Sequence, residues 1–110
     1  MRILLDECVP KRLRRLLPGH TVGTVQQLGW AGKSNGELLR AMLGHGIEVL
    51  ITVDRTLPNQ QNIVNSGIAV LILVAGGNRY ADLAPLVPSI LNALSTIKAG
   101  QVVEINAQSL

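Results

Sequence analysis

The sequence has almost no aromatic residues: Trp30 and Tyr80 are the only two, and phenylalanine is absent. Because 47% of the 110 residues are hydrophobic, the core must be built from leucine, isoleucine, valine and alanine. Such side chains suit strands that are buried on both faces and helices that pack over them. The composition therefore predicts an aliphatic α/β core, and the length fits a single domain over residues 1–110.

Cysteine and long apolar runs are also scarce. The single cysteine, Cys8, excludes a disulfide within the chain and favours a reducing compartment. The longest apolar run, GIAVLILVAGG, is far shorter than the roughly 20 residues that a membrane-spanning helix needs. The start, MRILLDE, is too short and too soon acidic for a secretory signal. We therefore expect a soluble cytoplasmic protein that has no membrane partner.

Charged residues are few, and the net charge is only +3. Such a charge permits an anionic partner such as nucleic acid but does not require one. Four of the ten basic residues lie in one short segment, KRLRR at residues 11–15. A run of this kind is most often a solvated face, although it is also suited to phosphate binding.

Hydrophobic patterning predicts that strands and helices alternate along the chain. Strands are expected at RILL (2–5), HTVGTV (20–25), IEVLITV (47–53), IAVLILV (68–74) and QVVEINA (101–107). Helices are expected between them, at residues 10–17, 34–44 and 83–97, with a turn and a short helix at residues 58–67. This order predicts an α/β three-layer sandwich with a mainly parallel central sheet and Rossmann-like topology. We expect IAVLILV, the most hydrophobic strand, at the centre of the sheet and the last strand at an edge.

Local signals predict where the helices begin and bend. The segment SNGE matches a capping box, in which Ser34 and Glu37 each bond the other's backbone N–H. Pro10 fits the first turn of the basic helix. The apolar stripe from Leu83 to Ile97 predicts one helix of about four turns, which Pro88 should bend.

Carboxylates follow two of the predicted strands. Asp6 and Glu7 come directly after the first strand, and Asp54 follows the third, while Glu37 lies in the first turn of a helix that should begin at the same edge. Because the carboxyl ends of parallel strands meet at one edge, these four carboxylates should converge there. Such a cluster is costly without a cation, and hard oxygen ligands favour Mg²⁺ or Mn²⁺. The metal would polarise a phosphoryl oxygen and activate water.

Three segments, LLDECVPKRLRRLL, GKSNGELLRAM and VLITVDRTL, resemble the PIN-like domains, and in particular short PIN-like proteins related to VapC-type toxin ribonucleases. The resemblance covers roughly residues 1–75. It implies a PIN-like domain whose metal ligands are Asp6, Glu7, Glu37 and Asp54, with Asp6, Glu37 and Asp54 catalytic. It further implies Mg²⁺- or Mn²⁺-dependent cleavage of RNA to a 5′-phosphate and a 3′-hydroxyl. The family often has a cognate antitoxin and often forms homodimers.

The chain departs from the family pattern at three positions. The family usually carries a second Asp two residues after the strand-end Asp, followed by Phe, and here these positions are Thr56 and Leu57. The residue after the Asp-Glu pair is commonly Asn, and here it is Cys8. The loss of one carboxylate favours an alternative, a PIN-like module that binds RNA or a protein without cutting.

A third alternative is a phospho-acceptor receiver domain, which also places acids after its first and third strands around Mg²⁺. It would require a hydroxyl after the fourth strand and a lysine after the fifth. The fourth predicted strand instead runs into Val74, Ala75 and Gly76, and Lys98 precedes the fifth.

Several cations lie near the predicted acidic edge, and we expect them to bind RNA phosphates: Lys11, Arg12, Arg15, Lys33 and Arg55. The acids have structural alternatives as well. Asp54 could pair with Arg55 or begin a turn, and Glu37 could serve only its capping box. The capping and metal roles of Glu37 need different side-chain rotamers and therefore compete.

Overall fold

A five-stranded sheet, parallel throughout, forms the middle of the protein. The computed structural model describes residues 1–106, so Ala107, the last residue of the predicted QVVEINA strand, lies outside the described residues. The strands are β1 (Arg2–Leu5), β2 (Thr21–Thr24), β3 (Val49–Thr52), β4 (Ala69–Leu73) and β5 (Val102–Ile105). Their order across the sheet is β2-β1-β3-β4-β5. The predicted edge position of the last strand is confirmed, but β3 and not β4 is central.

The helices cover both faces of this sheet. The α-helices are α1 (Asn35–Gly44), α2 (Leu57–Gln60), α3 (Tyr80–Leu83) and α4 (Val87–Leu94). Two 3₁₀ segments complete the set, Lys11–Leu16, called here the basic 3₁₀ helix, and Ala84–Leu86. In the described part of the chain no helix is both long enough and apolar enough to cross a membrane.

The two cores follow from the alternation of side chains along each strand. Ile3, Leu5 and Ile51 point to one face, where they meet the basic 3₁₀ helix and α4. Leu4 and Leu50 point to the opposite face, against α1 and α2. The predicted α/β three-layer sandwich of Rossmann-like topology is therefore confirmed.

The helix predicted over residues 83–97 is helical as far as Leu94, but it is not one regular α-helix. Its apolar residues are turned toward the sheet as expected, but α3, a 3₁₀ turn and α4 replace the single helix. Pro85 and Pro88 lack the N–H that an interior helical position donates. The series of backbone hydrogen bonds along the helix is therefore interrupted at each of them. Pro88 lies in the first turn of α4, where no such N–H is needed, directly after the 3₁₀ turn.

The basic 3₁₀ helix also begins differently from the prediction. Pro10 is extended, with ψ of 130°, and precedes the first helical residue, so it caps the helix from outside its first turn. Leu13 and Leu17 are buried against the sheet, while the basic residues between and around them stay exposed. The segment thus anchors by its leucines and presents its cations to solvent.

Candidate functional site at the carboxyl edge of the sheet

The strand order creates a crevice between the carboxyl ends of β1 and β3. The chain passes from β1 outward to β2 and then crosses to β3 on the other side of β1. In open α/β sheets, ligands bind outside the strand ends at this kind of reversal. Asp6 follows β1 directly, and Asp54 lies two residues beyond β3, so the sequence delivers one carboxylate from each side of the crevice.

Asp6 is buried to the extent that only 9% of its surface is exposed. Its N–H donates to Ile51 O at 2.9 Å, which continues the β1–β3 pairing by one residue. Its Oδ2 accepts a bond of 2.7 Å from Thr52 Oγ1, and its Oδ1 accepts one of 2.9 Å from Glu7 N. Each oxygen keeps a further lone pair, so the carboxylate is fixed in place yet still has acceptor capacity.

Thr52, the last residue of β3, joins the two sides of the crevice. Its side chain is completely buried. The hydroxyl donates to Asp6 Oδ2 and accepts from Asp54 N at 3.1 Å. Cys8 Sγ lies 3.8 Å from the same oxygen, and since the only hydroxyl proton goes to Asp6, the thiol is the donor in this contact. One buried hydroxyl therefore sets the positions of both carboxylate-bearing segments.

Asp54 begins the turn that leads into α2. Its Oδ1 accepts from Thr56 Oγ1 at 2.6 Å and from Thr56 N at 2.9 Å. These bonds favour the charged carboxylate, so Thr56 above all holds the pKa of Asp54 below its ordinary value, with further contributions from the Asn35 side chain and Leu57 N–H. The predicted turn role of Asp54 is thus confirmed, and Asn35 brings the start of α1 to the same edge.

Glu37 adopts the capping-box conformation. Its Oε1 accepts from Ser34 Oγ at 2.8 Å and from Ser34 N at 3.2 Å, and Glu37 N donates back to Ser34 Oγ. These bonds, those of Ser34 first, lower the pKa of the fully exposed carboxyl, with smaller help from Lys33 and Arg40. The capping role predicted for Glu37 is confirmed, and in this conformation its carboxylate is directed to Ser34.

Of the four carboxylates at this edge, Asp6 and Asp54 form a pair around Thr52, and Glu7 and Glu37 are not part of that pair. Glu7 is exposed, and Glu37 serves α1. Across residues 1–106, no three His, Cys, Asp or Glu side chains are grouped as ligands of one metal ion. The four-carboxylate metal site stays a prediction, and Asp6 and Asp54 are the two members that the fold ties to a common partner.

Removing the Thr56 hydroxyl gives a test of the Asp54 turn. In Thr56→Val the pKa of Asp54 should rise toward its ordinary value, because the strongest of its bonds is lost. A carboxyl whose pKa is lowered by folding stabilises the fold above its unfolded pKa and loses that contribution as the pH falls through its folded pKa. The variant should therefore be less stable than wild type at pH 7 by about 0.5–1 kcal/mol, and this difference should shrink below about pH 4.

Carboxyl titration by NMR and urea unfolding at several pH values measure both effects. Thr21→Val is the matched control, because Thr21 is an exposed strand residue remote from Asp54. An unchanged pKa of Asp54 in Thr56→Val would contradict the assignment.

The predicted RNA-binding cations lie in different surroundings. Arg12 packs its guanidinium over the Tyr80 ring at 4.4 Å, a cation–π contact that orients its side chain. Arg55 Nε pairs with Glu104 Oε2 at 3.7 Å, which is the one ion pair among the described residues. Lys11, Arg15 and Lys33 are exposed. Phosphate contacts by these residues stay a prediction.

A cleft of about 560 Å³ lies next to the segment that follows Asp6. It opens between the residues that follow β1 and those that end β2. Its lining residues are Glu7, Cys8, Val9, Pro10, Lys11, Thr24, Gln26 and Gln27. Gln26 Nε2 donates to Glu7 O at 3.3 Å and so connects the two loops.

Thr52 and Asn35 are the functional candidates that sequence reasoning missed. A signal for Thr52 was present, since it is the only polar residue between Val49 and Val53 in an otherwise apolar strand. Asn35 gave no such signal, because its contact with Asp54 depends on how α1 approaches β3.

No protein-family model, no curated protein and no solved structure matches the chain. The function must therefore be inferred from the residues of the edge and from the resemblance of its motifs.

Proposed function

We propose that the protein is a Mg²⁺- or Mn²⁺-dependent ribonuclease of PIN-like type, with Asp6 and Asp54 at its centre. The observation that carries the proposal is the pair of carboxylates at the β1–β3 reversal, both tied to the buried hydroxyl of Thr52. The resemblance of residues 1–75 to PIN-like domains supports the same chemistry and suggests the toxin of a toxin–antitoxin pair.

The donor set fits a small hard cation. Mg²⁺ is usually held by one or two carboxylates and completes its octahedron with waters and substrate phosphates. Asp6 keeps acceptor capacity on both oxygens, and Asp54 uses Oδ1 for Thr56, which leaves its Oδ2 as the oxygen that Thr56 does not engage. When bound, the metal would activate a water molecule and offset the charge that develops on the phosphoryl group.

The remaining residues of the edge bind and orient the substrate in this proposal. The basic 3₁₀ helix follows Asp6 by only a few residues, so its cations are placed to bind phosphates next to the acid pair. Glu7 is exposed and is available as an outer carboxylate, whereas Glu37 must leave Ser34 before it can take part. The preorganised pair is therefore Asp6 and Asp54.

A second candidate function is an RNA- or protein-binding module without chemistry. One observation favours it: Thr56, at the position where the family usually has a carboxylate, bonds Asp54 Oδ1 through both its hydroxyl and its N–H. These two bonds satisfy the hydrogen-bonding capacity of Asp54 Oδ1 without a cation. The two candidates share the same surface and differ in whether bound RNA is cut.

A receiver domain is disfavoured, although the strand order β2-β1-β3-β4-β5 also occurs in doubly wound folds of that kind. Its required lysine should follow β5. Lys98 instead precedes β5, at the opposite edge of the sheet, and Val74 and Ala75 follow β4 where a hydroxyl is needed.

A cleavage assay tests the proposal directly. Purified protein is incubated with end-labelled single-stranded RNA in Mn²⁺, in Mg²⁺ or in EDTA. We expect cleavage in either metal, none in EDTA, and products that carry 5′-phosphate and 3′-hydroxyl ends. Asp54→Asn should lower the rate by about a hundredfold, since metal catalysis supplies several kcal/mol of transition-state stabilisation.

Glu48→Gln is the matched control, because Glu48 precedes β3 at the opposite edge, where it accepts from Arg2 N. Cleavage that persists in EDTA, or that Asp54→Asn leaves intact, would refute the metal mechanism. RNA binding without cleavage in any metal would support the second candidate.

A further inference from the structure

The cleft between the residues that follow β1 and those that end β2 has two chemically different walls. Half-buried Pro10 presents apolar surface to the cleft, and the buried side chain of Val9 lies at its wall. The exposed Gln26 and Gln27 supply amide groups on the other side, next to buried Thr24, whose hydroxyl accepts from Gln27 N. An apolar wall facing a few fixed polar groups is typical of pockets that bind a flat, polar-edged ligand.

We infer that this cleft binds one unpaired nucleotide of an RNA substrate, with its base between these walls. The inference rests on the proposed function for the identity of the polymer and adds a subsite that selects single-stranded RNA. Three observations carry it: the size of the cleft, the fixed amides of Gln26 and Gln27, and the basic surface that begins at its edge.

The size admits a nucleotide but no duplex. A volume of about 560 Å³ lies within the range of roughly 300–1,000 Å³ that is usual for small-ligand pockets. Bases in a duplex are stacked and paired, so they cannot enter such a cleft, whereas the bases of single strands can be splayed out. The occupant is therefore unpaired at this position.

The two glutamines are held by one end of each amide. Gln26 Nε2 donates to Glu7 O, and Gln27 Oε1 accepts from Thr24 N at 3.0 Å. Gln26 Oε1 and Gln27 Nε2 are the amide atoms that these bonds do not use. One acceptor and one donor in fixed positions match the edge of a nucleobase, which carries both kinds of group.

The basic surface continues from the cleft along the chain. Lys11 lines the cleft and is also the first residue of the basic 3₁₀ helix. Within residues 1–106 the only ion pair is that of Arg55 with Glu104, so the exposed cations of this helix face solvent without a carboxylate partner. A phosphate chain that leaves the cleft over this helix meets complementary charge.

Cys8 provides a probe of occupancy in the unmodified protein. It is the sole cysteine of the sequence, it is half-buried, and it lines the cleft. The rate of its alkylation by N-ethylmaleimide is measured in EDTA, so that no cleavage occurs, with short single-stranded RNA, with the matching duplex, or with mononucleotides. We expect single-stranded RNA to slow alkylation at least about threefold at saturation, and the other two ligands to need higher concentrations.

Variants then locate the ligand. Gln26→Ala should raise the RNA concentration needed for half-protection by about 3–10-fold, the value of one hydrogen bond. Lys11→Glu should raise it as well and should lower the salt dependence of binding by about one charge or more. Gln60→Ala and Lys98→Glu are the controls, since Gln60 lies in α2 and Lys98 at the opposite edge of the sheet, and neither lines the cleft.

The outcomes separate this inference from the proposed nuclease activity. Protection in EDTA that depends on Gln26 and Lys11 supports the subsite, even if no metal restores cleavage. Equal protection by duplex, or protection that Gln26→Ala and Lys11→Glu leave unchanged, would overturn the subsite while the cleavage assay still stands. RNA that gives no protection at any concentration would overturn it as well.

Discussion

Asparagine in place of Asp6 is expected to reduce metal-dependent RNA cleavage by about a hundredfold or more, because one of two central carboxylates loses its charge. The change removes the anion and keeps the size of the side chain. It acts on a residue that the fold holds in place, since Asp6 is bonded at its N–H and at both of its oxygens. The expected loss therefore reflects chemistry and not the mobility of the side chain.

The same substitution has a smaller effect on folding. Asp6 accepts two hydrogen bonds, one on each oxygen, and an asparagine offers only one acceptor atom. Either Glu7 N–H or the Thr52 hydroxyl must then change partner, at a cost of about 1 kcal/mol. Thr52 can rotate its hydroxyl toward Cys8 Sγ and accept from the new amide, so the fold should survive.

Circular dichroism and urea unfolding establish that Asp6→Asn is folded before its cleavage rate is compared with wild type. Glu48→Gln again serves as the control, since it removes a carboxylate at the opposite edge of the sheet, where Glu48 accepts from Arg2 N. A folded Asp6→Asn protein that cuts RNA at the wild-type rate would remove Asp6 from the catalytic centre.

Valine in place of Thr52 is expected to have the largest effect on the assembly of the site. The two side chains have nearly the same shape, so no cavity forms, but the hydroxyl is lost. Asp6 Oδ2 then lacks its donor and Asp54 N–H lacks its acceptor. A buried polar group left without its partner costs about 1–3 kcal/mol, so we expect a loss of stability of about 2 kcal/mol or more.

Metal affinity and cleavage should fall together in Thr52→Val. Thr52 is a positioning residue, since it acts through Asp6 and Asp54. Isothermal titration with Mn²⁺ provides a readout that a merely structural role would leave unchanged in the folded variant. Thr52→Ser restores the hydroxyl and should recover most of the metal affinity, with a stability loss of about 1 kcal/mol for the missing methyl group. A folded Thr52→Val protein with wild-type Mn²⁺ affinity would show that the two carboxylates do not depend on this hydroxyl.

The layers of the fold were predictable because they depend on local patterns. The apolar residues of β1 after Arg2 and those of Ala69–Leu73 form strands buried on both faces, as their composition indicates. The capping box at Ser34 sets the start of α1 where the sequence places it. Each of these signals lies within a few residues of the element that it specifies.

The strand order could not be predicted in the same way. Hydrophobicity pointed to β4 as the centre of the sheet, yet all five residues of β4 and all four of β3 are buried. Burial on both faces is the same for any interior strand, so it does not distinguish the third position in the sheet from the fourth. That choice is made by crossover connections, which are not visible in the composition of a single strand.

The site shows the same division between local and distant signals. Asp6 and Asp54 were identified because each follows a strand directly, and the Asp54 turn was expected from its own neighbours. Thr52 was missed because its importance depends on a bond to a residue 46 positions away. Glu37 illustrates a further limit, since its sequence fitted two roles and only the fold shows which conformation its side chain adopts.

The reversal between β1 and β3 has a consequence for how the chain acquires its site. β1 pairs with β2 through residues that lie close in sequence, but its other side is closed only when β3 arrives. Before β3 is present, the Asp6 N–H has no Ile51 O to donate to, and Asp6 Oδ2 has no Thr52 hydroxyl to accept from. The Asp6 N–H bond to Ile51 O, and with it the Thr52 link, forms only after residue 52 has been made. Protection of the Asp6 amide from hydrogen exchange thus reports completion of the site, and a nascent chain that ends before β3 lacks the acid pair that the finished protein holds together.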